Sequence, residues 1–391
     1  MRQKTALFMF CVMTLAAGTA GAQAPAAPPE AKTPWFEAVT VNGLVDGYYS
    51  FATAGPPRQP SRLRVFDGDN GSFTMAYSEV AIAMAAEPVG FRVDLGFGPV
   101  ADATRSYQVA FVDDDNDPLT PDVAVAAPND SLRNIQQAYV SINPWGKLTV
   151  DFGKFVTTAG AEVIEAKDNW NYTRSTMFGY AIPFTHTGAR LTAPINANLT
   201  IQASLVNGWD VVPDNNNGKT FGLFALYSGG PMNLSGWGGT YFGPEQVSVP
   251  GEDPENRMLV DAGVGIDPIP NLSLKLNVDY GSEKIADEAE TWTAVALYAK
   301  YAVHPRANVS LRLDSFNDSK NAARTGATDL ENGDPLATVN SVTLTGGFPF
   351  GSNAEVRVEV RNDLATEKIY FDGDEAAASQ MTATVGLLAW F

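Results

Sequence analysis

The sequence predicts an all-β fold: a transmembrane up-and-down antiparallel β-barrel of about sixteen strands, with one loop folded inward. Three observations predict it. Segments of about ten residues alternate apolar with polar side chains, short and long connections take turns between them, and the final segment ends on an aromatic residue, Phe391. In that segment Ala383, Val385, Leu387, Ala389 and Phe391 share one phase, and Thr382, Thr384 and Gly386 occupy the other. A period of two marks a strand with one apolar face.

At the N-terminus, Arg2 and Lys4 precede an apolar stretch from Ala6 to Ala17, and Ala20-Gly21-Ala22 precedes Gln23. Residues 1–22 therefore read as a cleavable secretory signal. Residues 23–36 read as an Ala/Pro-rich periplasmic linker and residues 37–391 as the barrel domain. The sole cysteine, Cys11, lies in the signal, so neither a disulfide nor a thiolate metal site is expected in the exported chain. No later stretch approaches the roughly 18 to 20 apolar residues of a helical span. A membrane crossing must then be made by a closed barrel.

The formal net charge of −18 at pH 7 becomes about −20 without Arg2 and Lys4, which argues against nucleic-acid phosphates as partners. Hydrophobic residues make up 45% of the chain. That balance suits strands with lipid on one face and water on the other.

The alternation is cleanest in Glu355-Val356-Arg357-Val358-Glu359-Val360-Arg361, where charges flank every valine. Phe91, Val93, Leu95 and Phe97 alternate with Arg92, Asp94 and Gly96, and Leu272, Leu274, Leu276 and Val278 with Ser273, Lys275, Asn277 and Asp279. Read throughout, the pattern predicts strands near 39–51, 74–87, 90–98, 132–143, 147–155, 186–194, 198–207, 220–228, 234–242 and 257–267. Six more follow near 272–281, 291–303, 308–316, 338–348, 354–362 and 379–391. Short connections such as Asn143-Pro144-Trp145-Gly146 and His304-Pro305-Arg306 hold turn formers. Long ones lie near 52–73, 99–131, 156–185, 208–219, 243–256, 282–290, 317–337 and 363–378. An even number of strands with this alternation leaves both termini on the short-turn, periplasmic side. Aromatics near strand ends, among them Tyr49, Phe51, Phe97, Phe152, Tyr280 and Phe348, fit two interfacial girdles.

The connection after the fifth strand breaks the pattern by mixing apolar, aromatic and charged residues. It holds Gly153-Lys154, Gly160-Ala161-Glu162, Asn169, Tyr172-Thr173-Arg174-Ser175 and Phe178, and leads into His186-Thr187-Gly188-Ala189-Arg190. Here the chain resembles the OmpL-like β-barrel porins, and the architecture resembles theirs over the whole mature length. The resemblance implies an outer-membrane channel narrowed by its longest inward loop. The residues lead to the same expectation. Val163, Ile164, Trp170, Phe178 and Tyr180 would be out of place in a solvated outer loop but can pin a loop to an inner wall. The constriction set is then Glu162, Glu165, Asp168 and Arg174 on the loop, with His186 and Arg190 on the wall. Opposed charges across a narrowing filter solutes by size and charge.

The polar strand faces offer Arg92, Asp94, Asp151, Lys275, Asp279, Arg312, Asp314, Arg357, Glu359 and Arg361 as lumen lining. As individuals these are expected to wet the wall and pair across strands. Asp113-Asp114-Asp115-Asn116-Asp117 groups hard oxygen donors without EF-hand spacing and reads as a solvated outer loop. A hydrolase would need an activated nucleophile, and the chain has two histidines. His304 sits in a turn, which it is expected to shape; His186, with Glu162, Asp168 or Ser175 as partners, is the catalytic candidate, but it reads first as a hydrogen-bonded structural histidine. An active transporter needs a plug domain, for which the stretch before Val39 is too short.

The expected function is passive diffusion of small hydrophilic solutes and ions, with no enzyme activity, cofactor or metal. A non-conducting structural or adhesion barrel is the alternative, ahead of a hydrolase. Expected partners are outer-membrane lipid and lipopolysaccharide, the barrel-assembly machinery through the strand ending at Phe391, and further copies in a homotrimer, by analogy with porins of this size.

Overall fold

A computed structural model describes residues 35–52, 61–105, 107–112, 123–128, 132–247, 254–285, 288–318 and 320–391. The expected signal, nearly all of the linker and the Asp113–Asp117 run lie outside the described residues. The strands are β1 (Val39–Ala52), β2 (Phe73–Met84), β3 (Val89–Phe97), β4 (Tyr107–Val112), β5 (Val123–Pro128), β6 (Ile135–Ile142) and β7 (Thr149–Val156). After the long inward loop come β8 (Thr185–Pro194), β9 (Leu199–Val206), β10 (Thr220–Ser228), β11 (Ser235–Pro244), β12 (Asn256–Ile269), β13 (Leu272–Ile285) and β14 (Glu288–His304). The chain ends with β15 (Ala307–Asn317), β16 (Thr338–Phe350), β17 (Ala354–Ala365), β18 (Tyr370–Asp372), β19 (Glu375–Ala377) and β20 (Ser379–Trp390).

Sixteen of these close into one antiparallel barrel in the order β1-β2-β3-β6-β7-β8-β9-β10-β11-β12-β13-β14-β15-β16-β17-β20. Each matches an expected strand. The other four form two small hairpins, β4–β5 and β18–β19, inside connections read from sequence as plain loops. A second difference is at 282–290, where β13 and β14 run on as a ladder with Glu283 opposite Glu290. Beyond the depth of lipid both strand faces are polar, so hydrophobic alternation fades while backbone pairing continues.

Alternation sets the two surfaces. Along β17, Arg357, Glu359, Arg361 and Asp363 are at most 2% exposed, and Val358, Val360 and Leu364 face outward. β16 and β20 repeat this, with Thr343 and Thr384 inward and Leu344 and Val385 outward. The seam closes where β20 meets β1, and beyond it Gly43 and Phe391 exchange backbone hydrogen bonds of 3.2 and 3.1 Å. The Phe391 ring lies over Gly43 on the outer face.

The core lies inside the barrel. Tyr48, Tyr77, Ile164, Tyr172, Phe178, Trp292 and Phe316 belong to one buried cluster shared by loop and wall. Part of the connection between β1 and β2 folds in over it: Arg64 pairs with Asp67 at 2.9 Å and with Asp363 at 3.1 Å, and Phe66 packs on Phe178 and Phe184.

A charge on the outer face of β17 tests this orientation. Val358→Arg, near the middle of the span, is expected to destabilise the folded barrel by about 2–4 kcal/mol, measured by denaturant unfolding in lipid vesicles. A loss below about 0.5 kcal/mol, the usual range for a substitution on a water-exposed surface, would contradict a lipid-facing position.

Candidate functional site

Residues 157–184 leave β7, cross the interior and return in β8. Irregular backbone at membrane depth is tolerated only where its polar groups are satisfied within the protein, and the wall supplies the partners. Wall guanidinium groups donate to loop carbonyls: Arg357 to Ala166 at 2.6 Å and Asn171 at 3.0 Å, and Arg361 to Arg174 at 2.6 Å. Wall carboxylates accept loop N–H groups: Glu359 from Tyr172 at 2.7 Å and Thr173 at 3.2 Å, and Asp314 from Thr176 at 3.1 Å. At the start of the loop, Gly160 donates to Asp261 at 3.1 Å, Ala161 donates to Asn277 at 2.8 Å, and Lys275 donates to the Ala161 carbonyl at 3.0 Å. Near its end, Trp292 donates to Ala181 at 3.0 Å and Arg324 to Tyr180 at 2.9 Å.

Two glycines make the docking fit. Gly160 has φ 96°, a conformation that L side chains rarely adopt. Gly386 of β20 lies under the Tyr172 ring, where an added Cβ would come within 2.4 Å of ring carbons. The Tyr172 hydroxyl then reaches Asp46 at 2.7 Å. The helical turn Thr176–Tyr180 is capped by Ser175, whose Oγ accepts from Phe178 N at 3.0 Å. Ser175 N in turn donates to Glu162 at 2.9 Å.

The constriction candidates occupy different positions. Glu162 is buried and bridges Ser175 to Arg312, 2.9 Å away. Arg174 is buried, donates to the Tyr172 and Ile164 carbonyls and lies over the Phe66 ring at 4.8 Å. His186 is fully buried beside Gly208 O at 3.0 Å, with Thr157, Tyr241 and Phe155 among its neighbours. The structure does not bond it to Glu162, Asp168 or Ser175, the partners a hydrolase would need. Glu165 is half-buried, and burial pushes its carboxyl upward, with Asp168 and Asp94 adding to the rise. Asp168 is exposed beside Lys167 at 2.5 Å. Arg190 pairs with Asp151 at 2.9 Å and stacks over Phe155 at 4.4 Å.

All ten lumen candidates lie on inward faces, but their pairing differs from the cross-strand expectation. Arg92–Asp94 (2.8 Å), Arg312–Asp314 (3.0 Å), Arg357–Glu355 (2.8 Å) and Arg361–Asp363 (2.6 Å) all pair along one strand at a spacing of two. Residues two apart share a face about 7 Å apart, within reach of an arginine. Arg190–Asp151 alone among the pairs named here crosses between neighbouring strands.

The loop hydrogen-bonds to β11 to β17 and β1 and packs Tyr172 on Gly386 of β20, and its first residues, Thr157 and Thr158, also reach His186 of β8 and Gln202 of β9. The wall of β3, β6, β7 and β8 is less covered at its arginines, although Asp94, Gln137, Asp151 and Phe155 there are buried: the Arg92 side chain is 40% exposed and Arg190 14%, against 0% for Arg312 and 1% for Arg361. Sequence reading missed Asp46, Asp261, Glu355 and Asp363 as loop anchors or arginine partners. Asp363 was accessible to it, since it continues the phase of Arg357, Glu359 and Arg361.

An apolar-coated, sixteen-stranded closed barrel with a charged interior and a loop bonded inside it defines the porin-like barrels of the outer membrane. This chain belongs to the family described as "Putative beta-barrel porin-2, OmpL-like", whose model matches residues 38–391. No curated protein matches it in sequence. Its fold is similar to that of the anion-selective porin from Comamonas acidovorans, at 12% identity over 90% of this chain and 99% of that one, TM-score 0.57. It is also similar to OmpT of Vibrio cholerae (10% identity, 90% and 97% coverage, TM-score 0.55) and to Salmonella typhi OmpF in a complex with Daunomycin (11%, 90% and 97%, TM-score 0.54). At such identities the likeness is one of fold.

Removing a wall anchor tests the docking. Arg312→Ala leaves Glu162 and Asp314 buried without their cation and is expected to cost about 3–5 kcal/mol, with faster amide exchange across Glu162–Thr176. Unchanged exchange there would show that the loop is held by other means.

Proposed function

We propose that the protein is a diffusion porin for small hydrophilic solutes and ions, with its passage displaced to one side of the barrel. One wall of the passage is β3, β6, β7 and β8, presenting Arg92, Tyr139 and Arg190; the other is the loop, presenting Glu165, Lys167 and Asp168. The observation that carries this reading is the contrast between the half-exposed Arg92 and the fully covered arginines of β15 and β17. A barrel of sixteen strands is wide enough for water, and docking the loop on one wall leaves the other to line what remains. Glu162, Arg174 and His186 then fix the shape of the constriction, and Glu165, Asp168 and Arg190 face the solute.

In this reading the short turns and both termini face the periplasm, and the first 22 residues are the export signal of a Gram-negative bacterium. Lipid and lipopolysaccharide surround the barrel, and the strand ending at Phe391 is presented to the assembly machinery. A homotrimer is the proposed assembly; a trimeric form is described for the similar OmpT. Burial of His186 away from Ser175 and Asp168 favours transport over hydrolysis.

Planar-bilayer recording tests the reading. The folded protein is expected to give stepwise conductance, and Arg92→Glu to shift its ion preference toward cations; silence from protein of verified fold would refute the channel. Acidification provides a second check. Because its environment holds the Glu165 carboxyl above the ordinary carboxylate range, its negative charge disappears earlier as pH falls. Ion preference should therefore move toward anions as the pH is lowered, and Glu165→Gln should abolish that movement. An identical shift in the variant would exclude Glu165 from the passage.

A further inference from the structure

Under the first turn of the inward loop, β12 and β13 place Asp261 and Asp279 directly opposite each other, both inward and at most 1% exposed. Like charges directly opposite each other destabilise a ladder. Nothing cationic bonds to this pair. Asp261 accepts from three neutral donors: Gly160 N at 3.1 Å and Trp237 Nε1 at 2.6 Å on Oδ2, and Asn277 Nδ2 at 2.6 Å on Oδ1. Asp279, its cross-strand neighbour, has one long contact of 3.4 Å from Asn277 to Oδ1, and its buried Oδ2 has no hydrogen-bond partner.

The other ionisable groups facing the pair are already committed. Lys275 of β13 points to the Ala161 carbonyl and lies over Trp170 at 4.7 Å. Glu162 of the loop is held by Ser175 and by Arg312 of β15. Tyr298 of β14 is buried and, with Asp279, Gly160 and Glu162, lines a gap too tight to hold a water molecule. Among the described residues no third Asp, Glu, His or Cys joins the pair in a metal-binding group. A carboxylate with three donors is well suited to remain an anion, and a carboxyl with nearly none is suited to remain neutral.

We propose that Asp261 and Asp279 hold one proton between them, with Asp279 the acid that donates and Asp261 the carboxylate that accepts, and that this shared proton clamps the start of the loop to the wall. With the proton in place, Asp261 accepts from Asp279, Asn277, Trp237 and Gly160 together. Its loss leaves two adjoining anions in a dry wall beneath Gly160, which frees the first turn of the loop. The clamp works whether or not the barrel conducts.

Infrared spectroscopy of the barrel folded in vesicles, in H₂O and D₂O, tests the proposal. A protonated carboxylic acid band is expected at neutral pH and should be missing in Asp279→Asn, which keeps a donor toward Asp261. An unchanged spectrum in the variant, or a stoichiometric metal ion that the variant loses, would overturn the shared proton. The wild-type protein provides the second arm without any substitution. As alkali removes the band, amide protection at Gly160–Glu162, corrected for intrinsic exchange, should fall about tenfold, as expected for one buried hydrogen bond; protection that survives loss of the band would overturn the clamp.

Discussion

A backbone without regular structure has to be dry and hydrogen-bonded if it is to lie at the depth of a membrane, and in this protein the charged inner wall supplies those bonds. Arginines of β15 and β17 cap loop carbonyls, and Glu359 and Asp314 cap loop N–H groups. Leaving such groups buried and unmade would cost about 1–3 kcal/mol each, so the loop has little freedom to take another path. The position of the loop decides which wall is covered, and in the proposed channel it decides where a solute would pass.

The same wall manages its own charge. Each arginine of β15 and β17 that serves the loop carries a carboxylate two residues away on its own strand, so the strand alternation that creates a lumen face also builds the ion pairs. A buried pair of this kind is a poor source of stability but a firm geometric constraint. On the opposite wall Arg92–Asp94 repeats this pairing and Arg190–Asp151 makes it between neighbouring strands, and Arg92 remains free to meet water. Loop anchoring and the proposed solute contact therefore draw on one chemistry and differ in what lies on top of it.

Much of the fold was legible because lipid and water impose opposite demands on alternate residues. Valines between charges in β17 and the phase of β20 identify strands, and turn formers mark their ends. The continuation of β13 and β14 was not legible, since outside the bilayer the two faces no longer differ. The inward loop could be read from Ile164, Trp170 and Phe178, which need a dry partner. Which wall it meets could not, because Arg92 and Arg312 sit in the same local pattern, an arginine two residues before an aspartate on an inward face. Contacts between residues more than a hundred positions apart, such as Asp261 with Gly160 and Asp46 with Tyr172, separate anchors from lining.

Thiol accessibility measures the one-sided filling of the lumen most directly, since the only cysteine in the chain is Cys11. Single cysteines at Tyr139 and Thr192 on the uncovered wall, and at Ser310 and Thr343 on the covered one, would be exposed to a small charged thiol reagent in lipid vesicles. Rapid modification at the first two positions with protection at the second two is the predicted result. Equal reactivity on both walls would contradict the account.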